Sequence, residues 1–414
     1  MRAAPPRFLG RDPVTPRAYA RPMDRERVRR ARGEVCHLAG SGVDWVRLSV
    51  AMSEVVARLV PFDRSCWHTV DPGTVLITGS VTRNVRCSGS WLAEYEYVVE
   101  DVNKWWFLAR SGRRAGATSL ATHGDLSRSA RHRSHEAYGI GDELRASFVA
   151  DGTYWGAAGF LRDSDRPWFT EEDVAAVSAL CDGIADALRR ALVTAVVAEV
   201  VPADHGPGVI VFDEHGAAES VSPAAERWIG ELVELPAPAV PSESKVVQGV
   251  AARARILSRP GAPPLAARAR VRTRTGTWLV VHGTPLSGAT DGRTAVIIQP
   301  AGPYEVAPLI ALSHGLTERE AQITRLCVEG LPTRAMAAQL HMSPYTVQDH
   351  LKSIFEKTGV RSRNELVGQI FLQHFVSRWE ELSQAPEGWT AVAMPGPSVA
   401  QSGSGAGATG TPAR

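Results

Sequence analysis

Apolar and polar positions alternate along this chain in three successive regimes. Val46, Val50, Val55 and Leu59 follow a helical pattern that stops at Pro61. Runs rich in β-branched and aromatic residues follow at 66–70, 75–78, 143–149 and 154–161, and they read as strands. Asp151-Gly152 sits between the last two. That dipeptide favours the left-handed backbone of a two-residue hairpin. Thr170-Glu171-Glu172-Asp173 then opens a closing helix, with a hydroxyl to cap it and acids where the helix dipole favours them. Val174, Val177, Cys181, Ile184 and Leu188 alternate spacings of three and four, which predicts one long helix with a single apolar stripe.

The second regime is strand-rich. A strand over 208–213, a turn at Glu214-His215-Gly216 and a short helix over 223–229 come first. A basic strand over 268–275 turns at Gly276 into a strand over 278–282, and a last strand covers 294–299. Pro300-Ala301-Gly302-Pro303 reads as a linker.

The third regime, 309–376, is helical throughout. Thr317-Glu318-Arg319-Glu320 is a capping box, and its helix stops at Gly330. Thr333 is placed to cap a second helix with Met336, Ala337 and Leu340 on one face. After a short turn at His341-Met342, Ser343 caps a third helix, and Pro344 takes its first position, where a missing N–H costs nothing. Gly359 stops that helix, and Ser362-Arg363-Asn364-Glu365 starts a fourth.

Length and composition bound the rest. At 414 residues the chain holds two to four domains of ordinary size. Apolar residues make up 44% and charged residues 22%, the balance of a globular protein, and no apolar run is long enough for a transmembrane helix. With 46 basic against 44 acidic side chains, the net charge of +2 excludes a protein that wraps nucleic acid over its whole surface. Five scattered cysteines without a CxxC spacing argue against a disulfide framework or a cysteine-based zinc site. Residues 1–43 form an arginine-rich leader without an apolar core, expected to be disordered, and the protein is expected in the cytoplasm. Residues 384–414, rich in Gly, Pro and Ser, have little to bury and are expected to be disordered too.

The third helix of the last regime divides into two faces. Val347, Leu351, Ile354 and Phe355 fall on one and should pack on the other helices. Tyr345, Gln348, Asp349 and Lys352 fall on the other and should face outward. Two short helices joined by a tight turn, the second with a polar outer face, suit insertion into a DNA major groove. Glutamine there reads adenine, an acid accepts from cytosine, and Lys352 and His350 are placed for phosphates. From 312 to 376 there are seven Lys/Arg against six Asp/Glu, a net charge of +1. Phosphate neutralisation supplies much of DNA affinity, so one such module should bind poorly and a homodimer on two half-sites is expected.

These residues resemble a known family. Leu316-Thr317-Glu318-Arg319-Glu320, Glu329-Gly330-Leu331, Ala337-Ala338-Gln339-Leu340, the run 343–351 and Lys357-Thr358-Gly359-Val360 together resemble the LuxR-type helix-turn-helix domain. The resemblance implies a four-helix domain that binds double-stranded DNA and regulates transcription. Ser343, Tyr345, Thr346, Gln348, Asp349, His350 and Lys352 would then be the DNA-binding residues. Gln348 stands where the family often has a basic residue, and Pro332 lies near the second helix start.

Upstream, 44–200 resembles a GAF domain and 206–300, more weakly, a PAS domain, which makes the whole a multidomain α+β chain with two sensor-like units before an all-α reader. The GAF resemblance implies a pocket for an unknown small molecule, with Trp105, Trp106, Phe107, Tyr154 and Trp155 as candidate lining. No cofactor or metal motif is present, and His123, His132 and His135 have no common ligand spacing. Two other readings remain open. One is a GAF-type redox enzyme using Cys66 and Cys87; the other is a response regulator with a divergent N-terminal half. No GxSxG, HExxH or P-loop supports an enzyme.

Overall fold

The computed structural model describes residues 25–85, 87–193, 206–258, 266–287 and 292–368. Two helices open it, α1 (Arg25–Gly40) and α2 (Trp45–Leu59). Asp44 caps α2 by accepting from the N–H groups of Val46 and Arg47. Strands β1 (Arg64–Asp71) and β2 (Leu76–Arg83) follow, then α3 (Gly89–Ala93), a π-helical turn over Glu94–Val98 and α4 (Trp105–Arg110). Next come β3 (Ala115–Ala117), α5 (Thr118–Ala121), α6 (Ala130–His135), β4 (Ile140–Ala150) and β5 (Thr153–Asp163). The β4–β5 hairpin turns at Asp151 and Gly152, both with positive φ (49° and 74°), as the dipeptide predicts. Helices α7 (Glu171–Ser178) and α8 (Cys181–Val193) close this part.

The second part holds β6 (Gly208–Phe212), β7 (Ala218–Val221), α9 (Pro223–Gly230), β8 (Glu234–Leu235), α10 (Lys245–Leu257), β9 (Arg268–Arg272), β10 (Trp278–Pro285) and β11 (Thr294–Pro300). The last part is all helix: α11 (Pro303–Ser313), α12 (Glu318–Val328), α13 (Thr333–Gln339), α14 (Pro344–Thr358) and helical residues 363–368.

The described residues form two sheets, in the orders β3-β4-β5-β1-β2-β8 and β7-β6-β11-β10-β9. Every pairing is antiparallel except β8 on β2. The units expected at 44–200 and 206–300 share a core. Trp67, Phe148 and Leu188 of the first cluster with Trp278, Val280 and Ala301 of the second and with Val306, Leu309 and Ile310 of α11. Among the described residues no helix is long and apolar enough to cross a membrane.

Several expectations are corrected. Part of the leader is ordered: α1 buries Ala31 and Val35 against the first core, while 1–24 lie outside the described residues, as does the expected disordered tail. Arginine-rich composition hid a helix whose apolar contacts are Ala31 and Val35, with Val28, Leu38 and Ala39 partly buried beside them. The closing helix is two helices, because Ala179 and Leu180 turn tightly and the Leu180 N–H reaches the Val177 carbonyl. Its start is as expected, with a reciprocal capping box between Thr170 and Asp173. Helix α10 escapes a periodicity reading because its residues from Lys245 to Ala254 are all buried, polar ones included, so no single stripe stands out. Helix α11 begins at Pro303, the last residue of the expected linker, and runs on to Ser313 despite an internal Pro308.

Candidate nucleic-acid interface

The helix pair α13–α14 is built by local rules. Pro332, not Thr333, is the N-cap of α13, and no side chain caps it. The helix ends in a Schellman arrangement, with the Met342 N–H on the Ala337 carbonyl at 2.8 Å and His341 at φ 54° in the position that usually holds glycine. Ser343 caps α14, its Oγ accepting from the Thr346 N–H at 3.1 Å. Pro344 takes the first turn and Gly359, at φ 75°, ends the helix.

Helix α14 has the two faces its sequence predicts. Val347 and Ile354 are fully buried, with Leu351 and Phe355 packed beside them against Ile323, Leu326, Met336 and Leu366. On the other side Ser343, Thr346, Gln348, Asp349 and Lys352 are exposed, and Tyr345 is 81% exposed. His350 is half-buried at the flank. Within the described residues no side-chain hydrogen bond or ion pair is made by Gln348, Asp349 or Lys352, so their polar ends face solvent ready for a partner. From Tyr345 to Lys352 the face runs about 10 Å at helical rise, and a major groove is about 12 Å wide.

A buried carboxylate, not read from sequence, holds this helix in place. Glu320 completes the α12 capping box by accepting from the Thr317 N–H at 2.7 Å. It is 3% exposed. It also accepts from Ser353 Oγ and Lys357 Nζ of α14, each at 2.7 Å. Burial alone would raise its pKa, but the bonds from Lys357, Ser353 and Thr317 win and hold it at about 2. The capping box was legible; the second role was not, because it depends on α14 crossing α12. Arg363 adds a bond to the Cys327 carbonyl that ties the last helix down. Lys357 is thus engaged inside the module, while Lys352 and Arg334 are exposed.

The upstream candidates fare differently. The expected aromatic lining is dispersed. Trp105 and Tyr154 lie in one buried cluster, Trp155 in another, and Phe107 is exposed. Neighbours in a strand point to opposite faces, which separates Tyr154 from Trp155. A polar cluster lies around Trp105. The guanidinium of Arg145 stacks on its ring at 3.6 Å, and Arg145 pairs with Glu96 at 2.8 Å. Glu143 accepts from Arg131 at 2.6 Å; burial opposes its charge, but Arg131 and Arg145 hold it at about 2. His68, buried beside Trp105, is pulled down to about 3, first by burial and then by Lys245 and Arg145. Cys66 and Cys87 are free thiols, and burial raises both. A raised thiol has little thiolate at neutral pH, which weakens the redox-enzyme reading. His135 stacks on Trp91 at 4.3 Å, and among the described residues no three metal-ligating side chains gather.

Comparison with known proteins bears on the last part of the chain. Residues 314–369 match the family described as bacterial regulatory proteins, luxR family. A protein of Aeromonas salmonicida named as an HTH-type transcriptional regulator is 40% identical over 62 residues, 15% of this chain and 31% of that protein. The transcriptional regulatory protein UhpA of Escherichia coli is 38% identical over 56 residues, 14% of this chain and 29% of that protein. The chain therefore spans about a third of the length of these relatives. Among solved structures, the phycoerythrobilin-bound GAF domain from a cyanobacterial phytochrome overlaps 40% of this chain and 95% of its own, at 13% identity and a TM-score of 0.29.

Proposed function

We propose that this chain, whose residues 314–369 are a DNA-binding module of the luxR family, is a transcription regulator in which the upstream α+β part controls the module. The observation that carries the reading is α14: a capped helix with one buried apolar face and one exposed polar face on which Gln348, Asp349 and Lys352 make no side-chain bond within the described residues. Ser343, Tyr345, Thr346, Gln348, Asp349, His350 and Lys352 are the contact set. Of these, Gln348 and Asp349 read base edges, and Lys352 and the capped N-terminus meet phosphates.

The module acts as a homodimer. Its charge supports this, since seven basic against six acidic side chains give little phosphate affinity to one copy. We read the upstream units as GAF-like and PAS-like sensors on their sequence features and element order, with a small molecule as the signal, in the cytoplasm and without catalysis. A ligand shifts such a protein only by binding one arrangement better than another. The test is selection of genomic fragments by the purified full chain. A recurring motif with two half-sites about one helical turn apart is expected. Recovery of fragments with no common sequence would reject the reading.

A further inference from the structure

Strand β9 reads Arg268-Ala269-Arg270-Val271-Arg272, so its three arginines share one face. As an edge strand of the second sheet it has that face turned to three other elements at once. Arg270 is buried and grips Asp71 at the end of β1. Its backbone N–H, Nε and Nη2 donate to the Asp71 carboxylate at 2.9, 2.9 and 2.6 Å. Its Nη1 donates to the Glu305 carbonyl of α11 at 3.3 Å. Arg268 lies 3.8 Å from the Glu305 carboxylate, which itself accepts from the Gly302 N–H at 2.7 Å. Arg272 donates to the Leu192 carbonyl near the end of α8 at 2.9 Å.

Helix α11 leads directly into the DNA-binding module and belongs to two cores. Val306, Leu309 and Ile310 pack in the sensor core, while Ala307 and Ala311 pack in the core of the module. Apolar packing holds a helix but is non-directional, so it does not fix how far the helix slides or turns. A hydrogen bond to the Glu305 carbonyl and an ion pair with its carboxylate, both at the first turn, do. Just past α11, Gly315 at φ 68° leaves room for the Arg189 guanidinium of α8, which a Cβ there would meet at 2.7 Å. The first sheet, α8 and the entry to the module are thus all referenced to one strand.

We propose that the β9 arginine comb is the mechanical link through which the sensor part sets the position of the DNA-binding module. Asp71, through Arg270, registers the first sheet against the second, and Arg270 and Arg268 pass that register to α11. Arg272 ties the end of α8 to the same strand. A shift of either sheet moves the first turn of α11 and therefore the module behind it. This goes beyond the DNA-binding reading, and its test uses no DNA, so either can fail alone.

The test is a coupling cycle in the full chain. With Trp379 and Trp389 changed to Phe, every remaining tryptophan lies at or before Trp278, so indole fluorescence reports the sensor alone. Glu320→Gln weakens the module without touching the sensor. Through an intact comb it should lower the fluorescence-detected melting midpoint of the sensor by roughly 4 °C. In the background Arg270→Met with Asp71→Leu, which removes both buried charges together, that shift should vanish. Should that pair fail to fold, Arg268→Met with Arg272→Met leaves the Asp71–Arg270 pair in place and should at least halve the shift. An equal shift with and without the comb would overturn the proposal. So would no shift in the parent chain.

Discussion

On the proposed reading, single side chains divide the work on α14. Gln348 is exposed and unengaged, as a residue that reads a base must be, so Gln348→Ala should change preference at one position of the bound sequence by about 1–3 kcal/mol while leaving other positions alone. Selection from a randomised library with both proteins measures this; identical preferences would remove Gln348 from the reading set. Lys352→Ala should weaken binding to all sequences and lower the salt slope by about 1, measured by titration at several salt concentrations. Glu320 acts one step further back, by placing α14. Replacing it with Gln should cost the module about 2 kcal/mol in chemical denaturation, because charge-assisted bonds to Lys357 and Ser353 are lost. Its pKa is lowered from 4.5 to about 2 on folding. The stability it contributes is therefore complete above about pH 5 and is lost as the pH falls from there toward 2. The Gln variant should lose less stability over that window than the parent chain.

Elements were legible in the sequence where one local rule decides them. The capping boxes at Thr170 and Thr317, the Asp151-Gly152 hairpin, the Ser343-Pro344 helix start and the Gly359 stop all depend on residues within a few positions of each other. The two faces of α14 were legible for the same reason. Elements decided by what packs on them were not. Helix α10 is buried all round, so polar Lys245, Gln248 and Arg253 break its pattern. Helix α1 carries seven Arg and Glu residues among its sixteen, and it buries only Ala31 and Val35, with Val28, Leu38 and Ala39 partly covered beside them. The turn after α13 also shows a local compromise. His341 adopts φ 54°, which costs a side-chain-bearing residue about 1 kcal/mol. Exchanging it for Gly should stabilise the module by about 0.5–1 kcal/mol, read from its urea midpoint. In the upstream α+β part, His68 is held neutral by burial, its pKa lowered from 6.5 to about 3. The unfolded chain binds that proton first, so the stability of this part should decline as the pH falls below about 6.5, and His68→Phe should blunt the decline. Fluorescence-monitored urea curves at several pH values decide it.

At the scale of the molecule, the sequence separates regimes that the fold then merges. Composition and punctuation divide 44–200 from 206–300, yet Trp278 and Val280 complete the core that Trp67 and Phe148 begin. Strand β8 of the second part adds to the edge of the first sheet. No spacing rule foretells contacts between residues two hundred positions apart, such as Asp71 with Arg270. The DNA-binding module was the most legible unit because its core is local, running from Ala311 to Leu366. It was also legible as chemistry, since the exposed polar face of one helix is itself a sequence pattern. The most direct test of the whole account is titration of the full chain, at low ionic strength, onto duplex fragments, beside a variant with Tyr345, Gln348, Asp349 and Lys352 all changed to Ala. The account predicts that the parent chain binds, that binding weakens steeply with added salt, and that the folded variant loses sequence preference and most of its affinity. A folded parent chain that leaves every duplex unbound, or a variant that binds as well as the parent, would contradict it.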